Sequence, residues 1–171
     1  VASTRIGSRS AAAISVGSDP HSPSGQFKHD PRVSNEDALC LIDAGDWVGM
    51  AVADAHYGPE SSHMLIARLH DIWAKIAPTD PTHLAQMIEF LRNGEPAQTE
   101  SETTLLVAVF ERSSGHGYGL SFGDSTLTVL GRGREPVAAN PHDVRFVSAR
   151  HKRSLEYGAE FTFSAEPGEL V

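Results

Sequence analysis

The stretch WVGMAVADAHYG, residues 47–58, contains the signals from which the fold can be worked out. Its first seven residues are apolar or small and predict a buried strand, and Asp54 follows them directly. A second apolar run, ALCLI (38–42), precedes this strand, and the turn-forming residues DAGD (43–46) lie between the two runs. The pattern predicts a β-hairpin whose second strand delivers Asp54 at its end.

After residue 58 the apolar period changes from that of a strand to that of a helix. A first helix is predicted from Glu60 to Pro78, on the apolar positions Leu65, Leu69, Ile72 and Ile76. A second helix is predicted from Asp80 as its N-cap to Gly94 just past its end. Two helices therefore follow the hairpin.

Three closely spaced strands follow the helices and predict an antiparallel meander: TTLLVAVF (103–110), YGLSF (118–122) and TLTVL (126–130). Weaker strand signals occur at 144–148, 160–164 and 169–171. Residues 1–23 are a lead-in segment with one predicted strand near 12–16, and residues 24–171 form the domain proper. Strands, helices and strands in separate blocks favour an α+β fold over alternating βαβ units.

Composition narrows the class of protein. A chain of 171 residues fits one domain, and its 40% apolar content is typical of a soluble globular protein. The net charge of -8 argues against a nucleic-acid partner, and no apolar run approaches the roughly 18 residues that span a membrane. Cys40 is the single cysteine, which excludes an intrachain disulfide and favours a cytoplasmic location.

Acidic residues flank the predicted hairpin at its open end. Glu36 and Asp37 precede the first strand, Asp54 follows the second, and the two ends of a hairpin lie about 5 Å apart. Carboxylates this close repel each other, so such a cluster commonly holds a cation, and oxygen ligands suit Mg²⁺ or Mn²⁺. The alternative is that these are exposed carboxylates of ordinary turns.

Four short motifs resemble, in the same order, those of the metal-dependent protein phosphatases, the PPM or phosphatase 2C family. RVSNEDA (32–38) is similar to R-x-x-N-E-D-A, and VADAHYG (52–58) to V-x-D-G-H-G-G. ETT (102–104) is similar to G-[ST]-T, and FGDS (122–125) to V-G-D-S-R. Each motif is weak alone, but together they extend the resemblance over most of the chain.

The resemblance implies two antiparallel β-sheets packed as a sandwich and flanked by helices (αββα), with two Mg²⁺ or Mn²⁺ ions in a cleft at one end. Asp54 matches the aspartate that bridges the two ions. Glu36 and Asp37 match acidic residues that bind the second ion directly or through water. Ala55 stands where the family uses the carbonyl of a glycine as a ligand.

The same resemblance implies the reaction and its catalytic residues. Arg32 matches the arginine that grips the substrate phosphate, and His56 matches the histidine proposed as general acid in some members. The implied reaction is attack by a metal-activated water on phosphoserine or phosphothreonine. The implied partner is therefore a phosphorylated protein, and neither nucleic acid nor a membrane is expected.

The chain departs from the family pattern at two places. Ala55 replaces a glycine, and a left-handed backbone there would cost roughly 1–2 kcal/mol. Two further aspartates that complete the family's first metal site are expected beyond Val171, so the sequence is predicted to be C-terminally incomplete. These departures leave open an inactive phosphatase-like module that binds a partner or a phosphorylated segment through Arg32. A plain α+β ligand-binding domain is the third alternative.

Overall fold

The computed structural model of the chain describes residues 2–6, 10–14, 36–75, 101–131, 136–138, 140–141, 147–148, 158–167, 169 and 171. The predicted second helix and the predicted phosphate-binding Arg32 lie outside these residues. Within them there is one helix, α1 (Glu60–Trp73). The strands in the same residues are β1 (Ala2–Ile6), β2 (Ser10–Ile14), β3 (Ala38–Ala44), β4 (Trp47–Ala53), β5 (Ala55–His56), β6 (Glu102–Thr103), β7 (Leu105–Glu111), β8 (His116–Phe122), β9 (Thr128–Leu130), β10 (Pro136–Ala138), β11 (Val147–Ser148) and β12 (Ala159–Ser164).

Five of these strands form the main sheet, which is antiparallel throughout, in the order β12-β8-β7-β4-β3. The predicted hairpin of β3 and β4 is present, with Ala38 opposite Ala53 and Ala44 opposite Trp47. Strands β7 and β8 form a second hairpin, and β12 pairs with the far side of β8. Successive side chains of a strand point to opposite faces of a sheet. The apolar side chains of this sheet are buried in two clusters, one on each face.

Helix α1 covers one face of the main sheet. Leu65, Leu69 and Trp73 recur at helical spacing and are buried. They pack against side chains of the central strands, namely Ala51, Ala53, Leu105, Val107, Val109, Leu120 and Phe122. Burying each large apolar side chain contributes about 1.5–3 kcal/mol. The predicted helix is confirmed from Glu60, although it ends at Trp73, well before Pro78. No helix in the described ranges has the length and apolar character needed to cross a membrane.

The other face of the main sheet packs on a second layer. Strand β9 pairs antiparallel with β10. Leu127, just before β9, and Val129 within it share one apolar cluster with Leu106, Ala108 and Phe163. Antiparallel layers packed face to face, with a helix on the outer side, make an α+β sandwich, so the predicted fold class is confirmed.

Two aromatic rings of strand β12 lie across glycines of β8. Phe163 is paired with Gly117 and Phe161 with Gly119, and each ring occupies the space that a side chain on its glycine would need. A Cβ atom on Gly119 would also lie 2.5 Å from the carbonyl oxygen of Val107. The two glycines therefore allow the rings to cover this part of the sheet.

The two hairpin turns of the main sheet are tied together at one end. Arg112 makes two parallel hydrogen bonds to the carboxylate of Asp43, at 2.9 and 2.8 Å, and also donates to the Gly45 carbonyl. The Ser113 amide donates to Asp46 at 2.9 Å. The hydrogen bond with Asp43 raises the pKa of Arg112, against the smaller opposing effect of burial. This end of the sheet is thus closed by contacts between the two turns.

Three strand predictions are wrong. The sequence predicts one strand near residues 12–16, but β1 and β2 form a hairpin, and this Ala- and Ser-rich segment has too little hydrophobic alternation to reveal it. The third strand of the predicted meander, β9, pairs with β10 and not with β8, because the chain leaves the main sheet at Gly123, where φ is 86°. The predicted strand over 169–171 is absent at the two described positions, 169 and 171.

Candidate functional site

Asp54 lies at a bend shared by two neighbouring strands. It is the single residue between β4, in the main sheet, and β5, in a three-stranded sheet of order β11-β6-β5. Thr104 occupies the same place between β6 and β7. The pairing register is the same on both sides of the bend, with Val52 opposite Leu106 and Ala55 opposite Thr103. Asp54 and Thr104 therefore face each other where both strands pass from one sheet into the other.

Hydrogen bonds hold the backbone of Asp54 at this bend. Its N–H donates to the hydroxyl oxygen of Thr104 at 3.0 Å. Its carbonyl accepts from the Thr104 N–H at 2.9 Å and from the Thr103 hydroxyl at 2.9 Å. Both threonine side chains are fully buried. The Thr104 hydroxyl thus supplies the acceptor that a continued strand ladder would otherwise provide.

The two acidic residues before β3 lie beside the bend. Because Ala38 pairs with Ala53, Asp37 comes next to Asp54, as the hairpin predicts. The Asp37 carboxylate accepts a hydrogen bond from the Ala55 N–H at 3.4 Å. Glu36 is only 3% exposed. The open end of the hairpin therefore brings together the segments that contain the predicted metal ligands.

The oxygen atoms at the bend are of the chemical type that binds a hard cation. Carboxylate and carbonyl oxygens are the ligands that Mg²⁺ and Mn²⁺ prefer. Within the residues that the structure describes, however, no group of three or more His, Cys, Asp or Glu side chains is arranged to hold a metal ion. The described residues alone therefore do not form a metal site. The metal-binding roles of Glu36, Asp37, Asp54 and Ala55 stay predictions.

The backbone at Ala55 is not left-handed. Ala55 belongs to strand β5, is fully buried, and has no positive φ. Tyr57 is the only non-glycine residue in the described ranges with a positive φ, at 61°. The strain predicted for the alanine is therefore absent, and the left-handed position lies two residues further along the chain.

His56 and Tyr57 form the outer part of the site. His56, two residues after Asp54 in strand β5, is half-buried, whereas Tyr57 is 46% exposed. The two rings meet edge to face, with their centroids 6.4 Å apart. A bulky residue with φ > 0 is uncommon and costs free energy, so the surrounding structure must hold Tyr57 in place.

The first turn of helix α1 is anchored by serines. Ser61 donates its N–H to the Ser101 hydroxyl at 2.7 Å and its own hydroxyl to the Ser101 carbonyl at 2.6 Å. The Ser62 hydroxyl donates to the carbonyls of Glu36 and Pro59. Ser61, Ser62 and Ser101 are fully buried. Ser101 thus does for this helix what an N-cap residue usually does, and it ties the helix to the segments beside the bend.

Sequence reasoning missed a set of polar side chains that reaches the backbone of Asp54 through Thr104. The Thr104 hydroxyl lies 2.7 Å from the Ser125 hydroxyl, and the side-chain amide of Asn140 donates to the Ser125 carbonyl at 2.9 Å. The predicted meander implies a hairpin turn between residues 122 and 126, but β8 and β9 on either side of it are not paired. The signal in the sequence was weak, because it consists only of polar residues that directly flank apolar strands.

Burial raises the pKa of the Cys40 thiol above its ordinary value. Cys40 lies in the core under helix α1.

No protein-family model and no curated protein matches the chain, but solved structures do. The chain is similar to RsbX in complex with magnesium, at 13% identity and a TM-score of 0.57, with 83% of this chain and 66% of that chain covered. A bacterial serine phosphatase is similar at 13% identity and a TM-score of 0.61, with coverage of 81% and 70%. The PPM Ser-Thr phosphatase MsPP from Mycobacterium smegmatis, in complex with cacodylate, is similar at 19% identity and a TM-score of 0.53, with coverage of 79% and 68%. The chain therefore has the fold of these proteins, two of which are bacterial phosphatases, and it spans about two thirds of their length.

Proposed function

We propose that this chain is a metal-dependent serine/threonine protein phosphatase of the phosphatase 2C family. One observation carries the proposal: Asp54 stands at a bend shared by two sheets, with the Asp37 carboxylate bonded to the next residue, in a fold shared with bacterial phosphatases. The four motifs supply the residue types that the reaction needs, in the order of the family. The proposed substrate is a phosphoserine or phosphothreonine of a cytoplasmic protein.

The residues proposed to hold two Mg²⁺ or Mn²⁺ ions are Glu36, Asp37, Asp54 and, through its carbonyl, Ala55. Such ions, when bound, lower the pKa of a coordinated water and stabilise charge on phosphoryl oxygens. The task of the protein is to keep these donors in place. Three hydrogen bonds between the backbone of Asp54 and the residues Thr103 and Thr104 fix that backbone for this purpose.

Arg32 and His56 are the proposed catalytic residues. A guanidinium group has a fixed fork of donors that matches two phosphate oxygens, so Arg32 would bind and orient the phosphoryl group. His56, half-buried and two residues after Asp54, would donate a proton to the departing serine or threonine oxygen. Such an acid matters most when the leaving group is a poor one, as an alkoxide is.

The test is hydrolysis of a phosphothreonine peptide and of p-nitrophenyl phosphate by the complete gene product, with Mn²⁺ and again after chelation by EDTA. Asp54→Asn should lose more turnover than the about 10–100-fold typical of residues that only support metal ligands. Asp71→Asn is the matched control, because this aspartate is exposed on helix α1. Absence of Mn²⁺-dependent turnover in the wild-type protein, or an equal loss in both variants, would refute the proposal.

A second comparison isolates the role of His56. His56→Gln should lower turnover of the phosphothreonine peptide by about 10²–10⁴-fold, and it should leave p-nitrophenyl phosphate hydrolysis nearly unchanged because p-nitrophenolate leaves without a proton. Equal losses on both substrates would contradict a role as general acid. Binding of the phosphopeptide without turnover, abolished by Arg32→Ala, would identify the inactive phosphatase-like module instead.

A further inference from the structure

A chain of hydrogen-bonded polar groups connects the bend to the segment after β8. The Thr104 hydroxyl accepts the Asp54 N–H at 3.0 Å and lies 2.7 Å from the Ser125 hydroxyl. An oxygen that accepts one hydrogen bond still has a proton and a second lone pair, so it can also bond to Ser125. The Thr104 hydroxyl is thus shared between Asp54 on one side and Ser125 on the other.

Asn140 holds the far end of this chain. Its side-chain oxygen accepts the Leu127 N–H at 2.6 Å. Its NH₂ group lies 2.9 Å from the Ser125 carbonyl and 3.0 Å from the Ser121 hydroxyl. With only 8% of its surface exposed, the side chain is surrounded by these partners. The side-chain amide of Asn140 therefore bonds to three residues of the segment from 121 to 127 and holds that segment in place.

The Thr104 hydroxyl helps to hold the bend. Both strands change sheets there, and the Asp54 N–H donates to this hydroxyl. A hydrogen bond of this kind contributes about 0.5–1.5 kcal/mol. The geometry of the bend therefore depends on the Thr104 side chain, and the Ser125 hydroxyl in turn holds that side chain.

We infer that Thr104, Ser125 and Asn140, here called the positioning network, set the position of the Asp54 backbone and so the affinity of the site for its metal. The inference about metal affinity rests on the proposed function. The three residues touch neither substrate nor metal in this scheme and act only through Asp54. None of the four motifs assigns a chemical role to them.

The test combines two measurements on the same variants. Residue-resolved amide hydrogen exchange, measured by NMR without metal, reports how firmly the Asp54 N–H is held. Isothermal titration with Mn²⁺ reports the affinity. Thr104→Val keeps the shape of the side chain but removes its hydroxyl, and Thr104→Ser keeps the hydroxyl. Ser125→Ala changes a partly exposed position, so it can still be measured if Thr104→Val does not fold. Ser113→Ala is the matched control, because it loses a hydroxyl-to-carboxylate hydrogen bond at the opposite end of the sheet.

Thr104→Val should speed exchange of the Asp54 amide by about tenfold, as expected for one lost hydrogen bond. It should weaken Mn²⁺ binding by about 10–100-fold. Thr104→Ser should restore both values, Ser125→Ala should shift both in the same direction by less, and Ser113→Ala should change neither.

Unchanged exchange at Asp54 in both Thr104→Val and Ser125→Ala would overturn the inference, whatever the activity. Faster exchange with unchanged Mn²⁺ affinity would also overturn it, because the residues would then only stabilise the fold. A wild-type protein that binds no Mn²⁺ would instead refute the proposed function, and the exchange data would still decide whether the positioning network holds Asp54.

Discussion

Replacing Gly119 with alanine should destabilise the main sheet, because the new methyl group has no room. Gly119 lies in the middle of β8, between Ala108 of β7 and Phe161 of β12. Its Cβ atom would lie 2.5 Å from the carbonyl oxygen of Val107 and would also collide with the Phe161 ring. The ring can turn, but the carbonyl belongs to the backbone of a central strand and cannot move away.

The size of the effect follows from two opposing contributions. Inserting a methyl group into a filled space costs about 1–3 kcal/mol, and the upper end applies when the obstacle is backbone. Replacing glycine within a strand returns about 0.5–1 kcal/mol, because alanine loses less conformational entropy on folding. We therefore expect the free energy of unfolding to fall by about 2 kcal/mol, which lowers the Tm of a protein of this size by about 4–8 °C.

The assay is urea and thermal unfolding followed by circular dichroism, with Gly49→Ala as the matched control. At Gly49 the Cβ atom would lie 3.1 Å from the Trp73 ring, a side chain that can shift by a few tenths of an ångström. We expect this variant to change the stability by less than about 1.5 kcal/mol. Wild-type stability of Gly119→Ala, or a larger loss at Gly49 than at Gly119, would refute the packing described for β8 and β12.

Three further predictions concern the core and the ends of the sheet. Arg112→Met should lower the free energy of unfolding by about 1.5–3 kcal/mol, because it removes the paired hydrogen bonds to Asp43. A double-mutant cycle with Asp43→Asn should be non-additive, and additive losses would contradict this ion pair. Leu69→Ala should cost about 2–5 kcal/mol in urea unfolding, since the side chain is 1% exposed, whereas the exposed His63→Ala should stay within about 0.5 kcal/mol. Equal effects of these two variants would mean that helix α1 is not packed as described. Burial raises the pKa of Cys40 above its ordinary value of 9.0, so the unfolded chain ionises at a lower pH than the folded protein. The contribution of the thiol to stability is therefore complete below pH 9.0 and is lost as the pH rises toward the folded pKa. Cys40→Ala should remove this part of the alkaline loss of stability in urea unfolding as a function of pH, and an unchanged pH profile would disprove the assignment.

The part of the site formed by the first hairpin could be predicted from local sequence. The residues DAGD (43–46) separate two apolar runs of similar length, so the hairpin and its register follow, and with them the meeting of Asp37 and Asp54. Register is strongly determined where the two faces of a strand differ in their surroundings. Helix α1 could also be predicted from local sequence, because its buried apolar residues recur at helical spacing.

The bend at Asp54 could not be predicted in this way. The residues around it, VADAH (52–56), contain no glycine or proline that would mark a break in a strand. The bend is held by the hydroxyl of Thr104, which lies 50 residues further along the chain. Contacts between residues so far apart in sequence leave no periodic signal, and the same is true of Asn140, whose side chain holds the turn that takes β9 out of the main sheet.

The family pattern leaves the backbone conformation at position 55 open. The resemblance places a glycine there, and a left-handed backbone would have been strained at Ala55, but Ala55 is an ordinary strand residue paired with Thr103. The left-handed conformation occurs at Tyr57, where φ is 61°. A motif aligned by residue type therefore did not show which position is left-handed.

The unbroken register through the bend has a consequence for how this protein can vary in length. Inserting or deleting one residue between Trp47 and Asp54 would turn every following side chain to the opposite face and separate Asp54 from Thr104. The turns at 45–46 and 112–115 are at the other end of the sheet, where an added residue disturbs the contacts between the two turns but keeps Asp54 opposite Thr104. We therefore expect homologous chains to differ in length at these turns and to keep the same number of residues between the turn and the aspartate.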